Sequence, residues 1–96
     1  MQFEWDEAKN RINTRKRGID FDDVSEAFSG PMIVNPDDRE DYSENRRVGT
    51  DFLRNVPVII VFTERNDTIR IILARKADRH DREKYKKAIL HRLGMY

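Results

Sequence analysis

The sequence has no cysteine and only two histidines, His80 and His91. Without cysteine the chain has no disulfide, no thiolate nucleophile and no cysteine-ligated zinc, and this composition suits a reducing cytoplasm. The two histidines are eleven residues apart in a segment that we expect to be helical. They would lie three turns from each other, too far to share a metal ion. We therefore predict neither a metal site nor a cofactor.

Long apolar runs and the common phosphate-binding and nucleophile loops are also missing. No segment approaches the ~20 apolar residues of a membrane span, and Met1 leads into no signal-peptide pattern. The chain contains neither a glycine-rich phosphate loop nor a Gly-x-Ser-x-Gly elbow. We expect one domain over residues 1–96, located in the cytoplasm and without membrane contact.

Charge is abundant and unevenly distributed. Residues 1–45 carry 6 Lys/Arg and 12 Asp/Glu, whereas residues 46–96 carry 13 and 6. The second half therefore has a net charge of +7, although the whole chain has only +1. A basic half of this kind is typical of a nucleic-acid-binding surface. The alternative is a solvated surface on which the two halves form salt bridges with each other.

Hydrophobic periodicity predicts the order of the elements. The expected helices cover 7–17, 22–28 and 78–93, and the expected strands cover 32–34, 46–53, 56–63 and 68–74, with a polar loop over 35–41. Residues 1–5 are either a short leading strand or an extended lead-in. Asp6 and Asp78 are good N-caps, and Gly18 suits the end of the first helix. This order favours an α+β domain with two N-terminal helices, a four-stranded, mainly antiparallel sheet and a C-terminal helix.

The same periodicity predicts which side chains are buried. In the first helix the apolar stripe is thin, with only Ala8 and Ile12. We expect 46–53 to be an edge strand. In the last strand we expect Ile69, Ile71 and Leu73 on one side, and Arg70, Ile72 and Ala74 on the other. The buried side of the last helix is predicted to comprise Tyr85, Ala88, Ile89 and Leu93.

A cluster of arginines marks the junction between the last strand and the last helix. Arg75, Arg79 and Arg82 are spaced by four and three residues, so a helix start brings them towards one face. Their planar, permanently charged forks suit phosphate. The alternative is that they are surface ions paired with acidic residues of the same helix, namely Asp78, Asp81 and Glu83. Spacing alone slightly favours the surface-ion interpretation.

Several segments together resemble the BrnT family of bacterial toxins. The similar segments are Phe3-Glu4-Trp5-Asp6-Glu7-Ala8-Lys9-Asn10, Lys16-Arg17-Gly18-Ile19-Asp20-Phe21, Ala27-Phe28 before Pro31, Arg47 ahead of Gly49, Thr63-Glu64-Arg65, and Ile69-Arg70-Ile71-Ile72-Leu73-Ala74-Arg75-Lys76-Ala77 followed by Arg82 and Tyr85. The likeness covers about residues 3–85. Two positions depart from the family pattern. Arg17 stands where histidine is usual, and Leu73 stands where serine is usual.

The resemblance implies a RelE-like ribonuclease fold and the toxin half of a type II toxin–antitoxin pair. It implies metal-independent cleavage of RNA by the substrate's own 2′-hydroxyl, and neutralisation by a BrnA-like ribbon-helix-helix antitoxin. It also implies a hetero-oligomer with that antitoxin, which binds operator DNA only through the antitoxin.

We assign hypothetical roles to individual residues on this basis. Arg75, Arg79 and Arg82 stabilise the pentavalent phosphorane, and Tyr85 or Glu64 assists proton transfer. Arg47, Arg70 and Lys76 hold the RNA backbone. The alternative is a non-catalytic module that binds nucleic acid or protein, an interpretation favoured by the replacement of the usual histidine with Arg17.

Overall fold

The structure of the protein is a computed structural model that describes residues 1–37 and 45–95. The strands in this part of the chain are β1 (Gln2–Glu4), β2 (Ile33–Pro36), β3 (Arg46–Leu53), β4 (Val56–Arg65) and β5 (Thr68–Lys76). The helices are α1 (Glu7–Arg17), α2 (Phe21–Val24), which continues as a 3₁₀ helix over Ser25–Ser29, and α3 (Arg79–Arg92).

The five strands form one mixed sheet in the order β1-β5-β4-β3-β2. The prediction of an α+β domain is confirmed, but the prediction of four strands is wrong, because β1 adds a fifth that runs parallel to β5. The ring of Phe3 in β1 packs 5.3 Å from that of Phe28, which ties this edge to the core. The expected edge strand β3 lies between β2 and β4, and β2 is the edge.

Two tight turns set the register of the antiparallel strands. Arg54 and Asn55 join β3 to β4, and Asn66 and Asp67 join β4 to β5, all four with positive φ. Two-residue turns of this kind match the right-handed twist of paired strands, and asparagine and aspartate tolerate the left-handed conformation. The central hairpin is therefore confirmed, with longer strands than predicted.

Each side of the sheet has a different cover. On the core face, Val58, Ile60 and Phe62 of β4 pack in a cluster with residues of the α1–α2 connection, α2 and the 3₁₀ helix: Ile19, Phe21, Val24 and Ala27. On the other side, which we call the cleft face, Ile59 and Val61 lie beneath α3. Because both faces of β4 are apolar and covered, this strand forms the centre of the domain.

A β-bulge in β5 changes which side chains share a face. Val61 pairs with Leu73 but its neighbour Phe62 pairs with Ile71, so Ile72 is an extra residue in the ladder. Leu73 therefore shares the cleft face with Val61. The prediction that Leu73 shares the side of Ile71 is wrong, because the bulge inverts the alternation after this point.

Helix α1 has the predicted bounds and caps but an unexpected attachment. The Asp6 carboxylate accepts hydrogen bonds from the amides of Ala8 and Lys9, and Gly18 ends the helix at φ 71°. The predicted apolar stripe is wrong, because Ala8 is exposed and Ile12 is 50% exposed. Buried amides attach the helix instead, through Asn10 and Asn13.

These two asparagines connect α1 to the segments around it. The Asn10 amide donates to Asp20 Oδ1 at 2.9 Å and accepts from the Phe21 amide at 2.9 Å. Asn13 donates to the Ile19 carbonyl at 2.9 Å and accepts from the Ala74 amide of β5 at 3.2 Å. Helix α1 is thus held by directional hydrogen bonds as well as by its connection to the core.

The other helices differ from the prediction in length or burial. The second helix divides into α2 and the 3₁₀ helix. The hydroxyls of Ser25 and Ser29 donate hydrogen bonds to carbonyls three residues earlier, and these bonds compete with the backbone hydrogen bonds of an α-helix. Helix α3 has no buried residue, and Leu93, expected inside, is 66% exposed. The loop predicted over 35–41 begins in β2, and residues 38–44 lie outside the described residues.

Candidate functional site

A cleft of about 640 Å³ lies between the cleft face of the sheet and α3. Its lining combines apolar, basic, acidic and hydroxyl side chains from α1, four strands and α3: Arg17, Ile33, Asn35, Pro36, Asp37, Val48, Thr50, Ile59, Val61, Leu73, Arg75, Asp81, Lys84, Tyr85 and Ala88. This volume lies within the range of small-ligand sites.

The floor of the cleft is built by strand register. Ile33, Thr50, Ile59 and Arg75 are partners across four strands, and the next level on the same face comprises Asn35, Val48, Val61 and Leu73. The floor is therefore apolar at its centre, with polar groups at its margins. Arg75 reaches this face only because the bulge at Ile72 shifts the alternation of β5 by one residue.

Asp81 holds Arg75 in the cleft. The Arg75 guanidinium contacts the Asp81 carboxylate through both terminal nitrogens, at 2.6 and 3.4 Å. The same carboxylate accepts from the Asp78 amide at 2.9 Å, and Asp78 accepts from the Asp81 amide at 2.8 Å, which completes the capping box of α3. Arg75 lowers the pKa of Asp81 from its ordinary value near 3.8 to about 2. Asp81 is thus a permanent anion that joins β5 to α3.

Tyr85 supplies the hydroxyl of the α3 wall. Its ring packs edge-on against Phe52, with centroids 5.7 Å apart. Partial burial, reinforced by the negative charge of Asp51, raises the pKa of Tyr85 above its ordinary value near 10. The phenol therefore stays protonated at neutral pH and can donate a proton or a hydrogen bond.

Arg17, Lys84 and Asp37 were not among the predicted site residues, although all three line the cleft. Arg17 is the last residue of α1, where a cation also suits the helix dipole, so its local sequence gave no separate signal of a site. Lys84 is one position before Tyr85 on an exposed basic helix. Only the three-dimensional arrangement of α1, β5 and α3 brings these residues to one cavity.

The other two arginines of the predicted cluster lie at the start of α3, outside the lining of the cleft. Arg79 has a side chain that is 88% exposed and contacts Glu83 at 3.3 Å, as the surface-ion interpretation expected. Arg82 donates to the Ala77 carbonyl at 3.1 Å and so closes the strand-to-helix junction. Of the arginine cluster, only Arg75 lines the cleft.

The remaining predicted residues are distributed over both faces. Arg47 and Glu64 lie opposite Phe62 and Ile69 on the core face, where their charged atoms are 4.0 Å apart. Lys76 lies opposite Val58 on the same face, at its exposed end. Arg70 lies on the cleft face opposite Thr63 and contacts Glu4 at 3.5 Å. Glu64 and Tyr85 are therefore on opposite sides of the sheet.

The described part of the chain holds no group of three or more His, Cys, Asp or Glu side chains arranged to bind a metal ion. Both histidines are exposed on α3 and neither lines the cleft. Among the same residues, no helix has the length and apolar character needed to cross a membrane.

Comparison with known proteins identifies a family for this chain. The model of one protein family, described as the ribonuclease toxin BrnT of a type II toxin–antitoxin system, matches residues 5–81. No curated protein matches the chain. The family match begins at Trp5, just after β1, covers α1, α2 and the strands β2 to β5, and ends in the first turn of α3 at Asp81. Because it spans most of the sequence, the chain belongs to the BrnT family of ribonuclease toxins from type II toxin–antitoxin systems.

Proposed function

We propose that this protein is a metal-independent endoribonuclease and that the cleft beneath α3 is its active site. The observation that carries the proposal is the meeting of Arg17, Arg75, Lys84 and Tyr85 around an apolar floor. Cations bind the phosphate, an apolar floor accepts a base, and a protonated phenol is a proton donor. These are the groups that RNA cleavage by an internal nucleophile requires from a protein.

In the proposed reaction the 2′-oxygen of one nucleotide attacks the adjacent phosphorus, and the hydroxyl proton leaves to water. A bond forms between the 2′-oxygen and phosphorus, and the bond from phosphorus to the 5′-oxygen breaks. Arg75 contacts the phosphorane while Asp81 fixes its orientation, because a planar fork held on one side presents its other edge to the phosphate. Tyr85 gives its proton to the leaving 5′-oxygen.

The other predicted residues have supporting roles in this proposal. Arg82 fixes the junction from which α3 begins, and Arg79 attracts RNA from the surface. Arg47 and Lys76, on the opposite side of the sheet, contribute only long-range positive potential. We assign Glu64 no proton transfer, since it shares no face with Tyr85.

The test is cleavage of a single-stranded RNA by the purified protein in EDTA. We expect products ending in a 2′,3′-cyclic phosphate or its 3′-phosphate hydrolysis product. Arg75→Ala should lose on the order of 10²-fold in rate, whereas Arg15→Ala, a matched change on exposed α1, should not. Activity that disappears with EDTA and returns with one divalent ion would overturn the mechanism.

We further propose a BrnA-like ribbon-helix-helix antitoxin that covers the cleft with an acidic segment, in a cytoplasmic hetero-oligomer that binds operator DNA through the antitoxin. The +7 charge of residues 46–96 supports this partner chemistry. Hydrogen exchange should show protection of β5 and α3 in the complex. Protection confined to Glu7–Arg17 would reject occlusion of the cleft.

A second candidate function is non-catalytic binding of nucleic acid. It is favoured by the absence of an imidazole from the described lining, because histidine is the commonest general acid or base. RNA binding in the cleft without any cleavage, in a preparation that also fails to restrict growth, would establish this alternative.

A further inference from the structure

The cleft face continues beyond the cleft, towards the turn at Asn66 and Asp67. Past the level of Val48, Val61 and Leu73, the next partners on this face are Arg46, Thr63 and Arg70. The exposed end of the sheet therefore has a cationic level, separated from the level of Arg75 by the apolar level of the cleft floor. No lining residue of the cleft comes from this outer level.

The bulge places Arg70 and Arg75 on the same face although they are five residues apart. In a regular strand an odd separation would put them on opposite faces. Their partners on β4, Thr63 and Ile59, are four residues apart. At ~3.3 Å per residue, the two arginine levels are roughly 13 Å from each other. An extended single strand covers that distance with about two nucleotides.

The level between the two arginines suits unpaired bases. Val48 and Leu73 offer half-buried hydrocarbon surface on either side of the buried Val61, and none of the three carries charge. A base in a duplex has both its faces stacked, so it has no free face for such a floor, whereas an unstacked base of a single strand does. The two arginine levels would each bind a phosphate of the RNA, and the apolar level between them would contact a base.

We propose that the substrate is single-stranded RNA extended along β4 and β5, and that Arg70 binds a phosphate about two nucleotides from the bond that is cut. This inference rests on the proposed cleavage in the cleft. The Arg70–Glu4 contact does not oppose it, because both side chains are about half exposed and such pairs are weak and screened by salt. Glu4 holds the guanidinium at the margin of the face until phosphate replaces it.

The first experiment compares a dinucleotide with a tetranucleotide that extends over the outer level, using wild type, Arg70→Gln and Arg15→Gln. Arg15 is an exposed arginine of α1, away from the outer level, and serves as the matched control. We expect Arg70→Gln to raise KM for the tetranucleotide on the order of 10-fold more than for the dinucleotide, with kcat little changed. Arg15→Gln should change the KM values of the two substrates to the same small extent.

The second experiment measures binding of an uncleavable 2′-deoxy tetranucleotide against salt concentration. Loss of one phosphate contact in Arg70→Gln should reduce the slope of log K against log salt by about 0.7, and Arg70→Lys should restore it. A longer RNA that wild type cleaves should resist cleavage once it is annealed to its complement.

The outcomes separate this inference from the proposed function. If wild type cleaves neither length, both are overturned. If it cleaves RNA while Arg70→Gln shows no length dependence and an unchanged salt slope, the Arg70 site alone is overturned. Equal cleavage of the annealed RNA would overturn the single-strand requirement.

Discussion

Asp81 connects the anchoring of α3 to the position of Arg75, so we expect Asp81→Asn to loosen α3 without unfolding the sheet. Asparagine keeps the size of the side chain and an acceptor for the Asp78 amide, but it removes the charge that holds Arg75. The depression of the Asp81 pKa from 3.8 to about 2 corresponds to ~2 kcal/mol. Since Asp81 is 16% exposed and Arg75 30% exposed, solvent screening reduces the contribution to about 1–2 kcal/mol.

Native-state hydrogen exchange measures this effect directly. Because no residue of α3 is buried, the helix should open locally, at a lower free energy than the sheet. A loss of about 1–2 kcal/mol should accelerate exchange of the α3 amides by about 5- to 30-fold. The amides of β4 should keep their wild-type rates.

Glu83→Gln is the matched control, because Glu83 carries the same charge on the same helix but pairs with exposed Arg79. It should change α3 exchange by less than about 2-fold. Equal acceleration of β4 in Asp81→Asn would refute local opening, and an unchanged α3 would refute the anchoring role. The pKa of Asp81 is depressed, so its contribution is present above pH 3.8 and lost as the pH falls towards 2. Wild type and variant should therefore converge in acid.

Two further predictions concern the cleft. Tyr85→Phe should reduce cleavage on the order of 10²-fold. Because the Tyr85 pKa is raised above its ordinary value near 10, the wild-type rate measured between pH 8 and 9 should show no decline from loss of the phenol proton. A decline below pH 9 that is absent in the variant would contradict the acid role. Arg17→Ala should lower kcat/KM about 10-fold in the same assay, while its exposed neighbour Lys16→Ala changes it less than about 2-fold; equal losses would place Arg17 outside the site.

Features with a local chemical cause were predicted from the sequence. The bounds of α1 follow from Asp6 and Gly18, because cap preferences depend on adjacent residues. The start of α3 at Asp78 follows from the same kind of preference. The α+β class and the central hairpin follow from the change of apolar period along the chain.

Features that depend on distant partners were left open or missed. For residues 1–5 the sequence allowed either a short strand or an extended lead-in, because a three-residue strand has no pattern of its own. Strand β1 exists through pairing with Thr68–Arg70, more than sixty residues away. The bulge at Ile72 arises in a run where every residue is apolar, so that the sequence carries no mark of the shift.

In the candidate site, too, some residues could be predicted from the sequence and others could not. Arg75 was predicted as part of the arginine cluster and Tyr85 as a candidate for proton transfer, and both line the cleft. Arg17 joins them only through the packing of α1 on β5. The roles of all these residues in cleavage stay predictions.

The attachment of α1 through Asn10 and Asn13 also determines how this domain responds to redesign. The usual way to stabilise a helix packed on a sheet is to replace its buried polar residues with leucine or isoleucine. Here that change would leave the Phe21 and Ala74 amides and the Ile19 carbonyl without their present partners, at a cost of about 1–3 kcal/mol for each buried group. A larger hydrophobic core would thus produce a less stable toxin, and engineering for stability has to begin on the outer side of α1.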